Sequence, residues 1–295
     1  MIATTRCLLL AALVVALAAL AAWSQQQQPS QQPPKPPAQQ PAQPPVGQLP
    51  PAEPAAPPEN KEEEDAYKLF FDLPRGESQR VLDIGDEFLK KFPESRYRES
   101  VYARMAGAYL SLDQVDKMYV AGEKALELNP NNVDVLAMVA WGVPRRLNPG
   151  DLDAQQKLDK CEKYAKQTIE LVNAMVKPEG VEEEAFNKAK NEKISMAHGG
   201  LGVVYFHRQR YADMASEMEL ATQLNPADPT DFYLLGMAYQ RTRRWTDAAT
   251  AYGKCGDMPG QLQPTCKRAS DLMKKQAAAS PAPATPPPAA KPPLQ

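Results

Sequence analysis

Leu201-Gly202-Val203-Val204-Tyr205 returns as Leu235-Gly236-Met237-Ala238-Tyr239, 34 residues further on. The echo keeps its register: Tyr211 answers Trp245, Met214 answers Ala248, Met218 answers Tyr252 and Ala221 answers Cys255. A self-match at that interval, with Leu-Gly, then Tyr, then a small residue, then an aromatic, constrains a chain to helical hairpins stacked in an array. One such hairpin cannot bury its apolar face alone, so each covers its neighbour. Arrays of this kind present an extended surface. Their usual work is holding another chain rather than converting a small molecule.

Earlier copies extend the pattern. Counting Leu-Gly as places 7 and 8, full copies start near Ser195 and Pro229, and another starts near Glu99 with Tyr102, Met105-Ala106, Tyr109, Met118, Gly122 and Ala125 in the slots. Leu128-Asn129-Pro130 and Leu224-Asn225-Pro226 are two copies of one terminator, because proline cannot continue a helix. Val133 to Val143 reads as a first helix on register, with Leu136, Val139-Ala140 and Val143 in place. The period then breaks, and one lengthened helical hairpin is expected over 151–195. Asp151 is the candidate cap. Leu158, Cys161, Ala165, Ile169, Val172 and Val176 form the apolar stripe of its first arm. Lys177-Pro178-Glu179-Gly180 is the turn, and Val181, Ala185, Ala189 and Ile194 begin its second arm. Both arms are expected to exceed a normal repeat helix by about 14 residues, or roughly 20 Å. The front is degenerate: Tyr67, Leu69-Phe70 and Leu73 suggest one helix, and Val81-Leu82, Gly85, Phe88-Leu89 and Phe92 the next. Gly256 to Pro264 reads as a loop and Thr265 to Lys275 as a charged closing helix.

The ends have another composition. Arg6 followed by the apolar run Leu8 to Ala22, with Ala22-Trp23-Ser24 after it, reads as an export signal over 1–24, cut before Gln25. The run is shorter than the about 20 residues a transmembrane helix needs. If retained, it would serve as an inner-membrane anchor. Cys7 precedes the apolar run and so cannot be a lipid-bearing cysteine. Residues 25–60 are mainly Gln, Pro and Ala, too poor in aliphatic residues to offset ordering entropy, and are expected to be a disordered spacer. Residues 278–295 read as a similar tail, leaving 61–277 as the helical domain. The charge is nearly balanced, 34 basic residues against 36 acidic ones, which argues against nonspecific nucleic-acid binding.

These residues resemble the tetratricopeptide repeat family, and the front of the domain resembles its exported bacterial envelope members through Phe88-Leu89-Lys90-Lys91-Phe92-Pro93-Glu94-Ser95-Arg96-Tyr97. The resemblance covers about 61–277. It implies an all-α, right-handed superhelical solenoid of antiparallel helix pairs whose first helices line a concave face. It also implies peptide or protein binding, no cofactor and no metal. The family's groove positions fall here on Trp141 and Arg145, on Met196, Val203, Phe206 and His207, and on Thr230, Tyr233, Met237, Gln240 and Arg241. Aromatic, Met and Arg side chains suit a binding face, and Arg145, His207 and Arg241 would bias it toward an acidic ligand. Phe206 and Tyr233 are equally compatible with plain packing between helices. The carboxylate clamp of chaperone-binding members is missing: its slots hold Ala103, Gly107, Thr230 and Leu234.

Cys255 and Cys266 are the candidate disulfide, since an exported chain meets an oxidising compartment. A reduced or metal-binding pair is the alternative, disfavoured by the absence of C-x-x-C or a nearby histidine. Cys161, on the apolar stripe, reads as a buried free thiol. No enzyme motif is present: neither His198 nor His207 belongs to H-E-x-x-H, there is no G-x-S-x-G, and Gly199-Gly200-Leu201-Gly202 reads as close helix packing rather than a phosphate loop. The sequence therefore reads as a non-catalytic periplasmic or secreted scaffold for a protein partner. Docking through the long hairpin is one alternative, and an enzyme with an unrecognised site is another.

Overall fold

The computed structural model describes residues 60–74 and 76–280. The signal, nearly all of the spacer and the tail from residue 281 lie outside the described residues. Among these residues there are eleven helices and no strand: α1 (Lys61–Phe71), α2 (Ser78–Lys91), α3 (Arg98–Ser111), α4 (Val115–Leu128), α5 (Val133–Arg146), α6 (Ala154–Ala174), α7 (Glu183–His207), α8 (Tyr211–Leu224), α9 (Pro229–Arg241), α10 (Trp245–Asp257) and α11 (Gln263–Ala279). Each helix packs on the next. α5 also packs on α3 before it and on α7 after it, and every substantial packing joins helices at most two apart in the chain. That is side-by-side stacking of hairpins α1–α2, α3–α4, α5–α6, α7–α8 and α9–α10, closed by α11.

Local chemistry sets the helix ends. Asn60, Asn132 and Asp228 sit at N-caps, and their side chains accept from the backbone N–H of Glu63, Val135 and Thr230. Pro229 occupies the first turn of α9, where its missing N–H costs nothing. Asn129 and Asn225 end α4 and α8, and each side chain turns back to accept from the backbone two residues on, at Asn131 and Ala227. The two Leu-Asn-Pro terminators thus do the same work.

The turns inside the regular hairpins are also copies. Asp113, Gln209 and Arg243 take φ of 55°, 59° and 60°. After each, the next N–H reaches back across the turn, Gln114 to Tyr109 O at 2.9 Å, Arg210 to Tyr205 O at 2.9 Å and Arg244 to Tyr239 O at 2.8 Å. This is the left-handed helix stop that satisfies the last carbonyls. Behind the turns, Met118, Met214, Met218 and Val204 are wholly buried in a continuous core. Each such side chain contributes about 1.5–3 kcal/mol.

The long hairpin departs from expectation. α6 has 21 residues and α7 has 25, against 14 in α3, α4, α5 and α8. Neither arm is longer by the expected 14, because much of the inserted chain goes into the loops 147–153 and 175–182. Asp151 is not the cap. α6 starts after Asp153, which makes no side-chain cap bond, and Asp151 instead accepts from Asn148 Nδ2. Val176 lies beyond the helix end and is 87% exposed, while Ala185 and Ala189 face solvent near the start of α7. The closing helix is longer than Thr265–Lys275. It runs to Ala279, so the folded region overruns the expected boundary at 277, and Gly256 belongs to α10 rather than to a loop.

Candidate functional site

The expected groove residues lie on the first helices α5, α7 and α9. Gly200 of α7 crosses α5 at backbone contact: a Cβ there would stand 2.4 Å from the Ala140 carbonyl oxygen. Pro144, inside α5, has no N–H to offer that carbonyl, so glycine approaches where a helical hydrogen bond is missing. One residue away, Gly199 leaves room for an ion pair. Arg145 of α5 reaches past it to Asp231 of α9, Nη2 to Oδ1 at 3.0 Å. A Cβ on Gly199 would sit 3.0 Å from the guanidinium and 3.3 Å from the carboxylate. The pair ties α5 to α9 across Gly199 of α7.

This pair changes the reading of Arg145. Its side chain is 10% exposed and that of Asp231 3%. Arg145 also donates to Trp141 O at 2.8 Å and lies 4.4 Å over the Trp141 ring. It is spent inside the protein and does not bias the face toward an acidic ligand. Burial pushes the Asp231 carboxyl up to about 6 against the opposing pull of Arg145, with Asp228 adding to the rise. Burial likewise lowers the Arg145 guanidinium from its ordinary value. Desolvation therefore outweighs attraction on both sides of the pair.

His207 is likewise engaged. Its Nε2 stands 2.8 Å from Pro144 O, a carbonyl in the last turn of α5. The imidazole N–H serves as a side-chain cap there rather than as a ligand contact. Gln240 accepts from the Tyr252 hydroxyl at 3.0 Å, though it remains exposed. Arg241 is exposed and stacks 5.4 Å over Tyr211. Trp141, Phe206, Tyr233 and Met237 are half-buried, and of these Phe206 and Tyr233 pack against the core. The Tyr233 ring lies 5.7 Å from that of Tyr252, and the Phe206 ring 6.2 Å from that of Tyr211. Met196 and Thr230 are also half-buried, whereas Val203 belongs to the core. Phe206 and Tyr233 pack between helices, as the packing reading expects, and remain partly exposed. Sequence reasoning misses Asp231, whose only signal is an acidic residue just after an N-cap.

The expected cysteine pair comes together. The Cys255 and Cys266 sulfurs are at bonding distance, with Cα atoms 5.7 Å apart, and both residues are buried beside Phe232. Cys161 is buried, its Sγ 3.7 Å from Val139 O, and burial pushes its thiol up to about 12, far from nucleophilic character. His198 Nδ1 pairs with Glu217 at 2.7 Å. Among the described residues no group of His, Cys, Asp and Glu is placed to hold a metal ion, and no helix is long and apolar enough to cross a membrane.

Repeated hairpins, repeated turns and nearest-neighbour packing decide the architecture. The folded region is an array of stacked antiparallel helix pairs. No protein-family profile and no curated protein matches the chain. Solved structures similar to it include a thermophilic TPR protein, TTC0263, of Thermus thermophilus, at 17% identity over 74% of this chain and 98% of that one, with a TM-score of 0.44. PilF of Pseudomonas aeruginosa is similar at 16% identity, over 74% and 88%, with a TM-score of 0.48. MamA of Desulfovibrio magneticus is similar at 20%, over 65% and 93%, with a TM-score of 0.38. The helix pairing described above, rather than these likenesses, carries the fold.

Proposed function

We propose that this array is a non-catalytic scaffold that holds a protein or peptide partner along the concave face of α5, α7 and α9. One observation carries the reading: Trp141, Phe206, Tyr233 and Met237, from three successive first helices, are each only half-buried, and the Arg145–Asp231 pair ties the first of those helices to the last. Large, stiff side chains on a preorganised face give contact area at low entropic cost. With Arg145 and His207 engaged, Arg241 is the exposed cation left to anchor a polar group of the partner. Export to the periplasm or beyond, by the N-terminal signal, fits this role, as does a Cys255–Cys266 disulfide fastening α11 to the last repeat.

The test is crosslinking in envelope extracts, identification of the partner, and a binding titration with purified proteins. Tyr233→Ala/Arg241→Ala is expected to weaken binding by at least roughly tenfold without changing the helical signal. Equal affinity would sink the groove assignment.

A second reading rests on the tip of the long hairpin, where Met175, Val176 and Val181 are exposed together around the 175–182 loop. Replacing residues 175–188 with a short turn separates the two. Lost binding with an intact first-helix face would move the site to the tip.

A further inference from the structure

The face built from second helices contains one trough twice. Near the front, α2 and α4 flank α3, and Tyr102, Met105 and Tyr109 form the floor. Near the end, α8 and α10 flank α9, and Phe232, Leu235 and Tyr239 take the same places. The troughs differ at the rim. Glu219 accepts from the Tyr239 hydroxyl at 2.6 Å and meets Arg244 at 3.3 Å, and Arg244 lies 4.2 Å over the Tyr239 ring. The space in the end trough is about 210 Å³. In the front trough Leu89 stands where Glu219 would be, and Gln114 where Arg244 would be. There the space is about 480 Å³. Among the described residues, the hydroxyls of Tyr102 and Tyr109 have no hydrogen-bond acceptor.

Basic residues outnumber acidic ones at the front trough. Lys90, Lys117 and Lys124 border it, and none forms an ion pair among the described residues. Lys117 lies 5.7 Å over Tyr109 and Lys124 5.1 Å over Tyr102. Two acids, Asp86 and Asp116, stand at the rim against the three lysines, and Asp116 also lies 3.8 Å from Lys157.

Spacing selects the ligand's conformation. Tyr102 and Tyr109 are seven residues apart on α3, about 10 Å along the axis. A polyproline II strand advances about 9 Å in three residues, so prolines at every third place meet the two rings in turn. Its carbonyls carry no internal hydrogen bonds, and the two open hydroxyls can donate to them. A helical ligand could match the spacing, but its carbonyls are already taken.

We propose that this front trough is a second docking site, separate from the first-helix face, for an acidic proline-rich segment of a partner protein bound in polyproline II form. The probe is a fluorescein-labelled nonapeptide, Pro-Pro-Glu three times over, titrated against the full chain by anisotropy. Wild type is expected to bind it at least about tenfold more tightly than a Pro-Pro-Lys peptide or a Gly/Ser peptide of equal negative charge. Leu89→Glu, which imports the rim of the closed trough, is expected to weaken binding about tenfold. Lys117→Glu, at an exposed site on α4, is expected to weaken it several-fold with an unchanged melting curve, and so stands if Leu89→Glu fails to fold. Arg268→Glu on α11 controls for net charge and leaves affinity unaltered. The proposal is overturned by an absence of saturable binding, by equal affinity for the Gly/Ser peptide, by tighter binding of an amphipathic helical peptide, or by equal losses with Arg268→Glu and Lys117→Glu.

Discussion

The α9–α10 repeat and the α5–α7 region solve the same packing problem by different means. In α9–α10 the holding elements are local: the Asp228 cap, Pro229 in the first turn, and the left-handed stop at Arg243. In α5–α7 that turn is missing, because α5 ends at Leu147 in extended backbone and runs into the 147–153 loop. Long-range side chains take its place. Arg145 reaches Asp231, His207 caps Pro144, Arg208 holds Asp159 and Glu162, and Glu123 holds Lys160 and Tyr164. Breaking the period removed the local stop signals, and polar contacts between distant helices hold the register instead.

The difference can be tested, beginning with the largest expected effect. Asp231→Ala leaves a buried guanidinium unpaired, with Arg145 Nε already lacking an acceptor among the described residues. It is expected to cost about 3–5 kcal/mol in urea unfolding, while Arg145→Met/Asp231→Leu stays within about 1 kcal/mol of wild type or exceeds it. Equal costs for single and double variants would show that the pair is not what joins these helices.

Gly200→Ala drives a Cβ into the α5 backbone and is expected to cost about 2–3 kcal/mol. Gly253→Ala, where the added atom would meet only Ser270 Oγ at 3.6 Å, is expected to be neutral or slightly stabilising in the same assay.

Acidity probes the same region. Asp231 is raised to about 6 in the fold, against about 3.9 when unfolded, so between these values the folded state holds a proton the unfolded chain has released. Its contribution is complete below about pH 4 and is lost as pH rises through about 6. Relative to Asp231→Asn, wild type is expected to lose on the order of 2 kcal/mol between pH 4 and pH 7. A difference that stays flat with pH would mean the carboxylate ionises in the fold without a burial cost.

The smallest effect belongs to the regular side. Gln209 occupies a left-handed position at φ 59°, so Gln209→Gly is expected to raise stability by up to about 1 kcal/mol. No gain, measured by thermal and urea unfolding, would mean that the other turn contacts already relieve that strain.

The same contrast explains what is legible in the sequence. Leu-Gly-x-x-Tyr, the paired Leu-Asn-Pro terminators and the cysteine pair around the last loop are short-range patterns, and their helices, ends and proximity follow from them. The site is legible only in part. Trp141, Tyr233 and Arg241 are half-buried or exposed, but neither Arg145 nor His207 shows in sequence that its partner waits on another helix. The front trough is also hidden. Tyr109 and Tyr239 hold the same repeat place, and only the residue facing each from the neighbouring helix, Leu89 or Glu219, distinguishes an open hydroxyl from a bonded one.

By itself the sequence determined the helical hairpins and their stacking order, because apolar periodicity and stop signals act within a few turns of the chain. Only the tertiary structure decided how far the inserted arms run as helix and which charges remain free for a partner. Those outcomes depend on contacts between residues far apart in the chain, such as the 86 positions between Arg145 and Asp231, where burial and pairing are settled together.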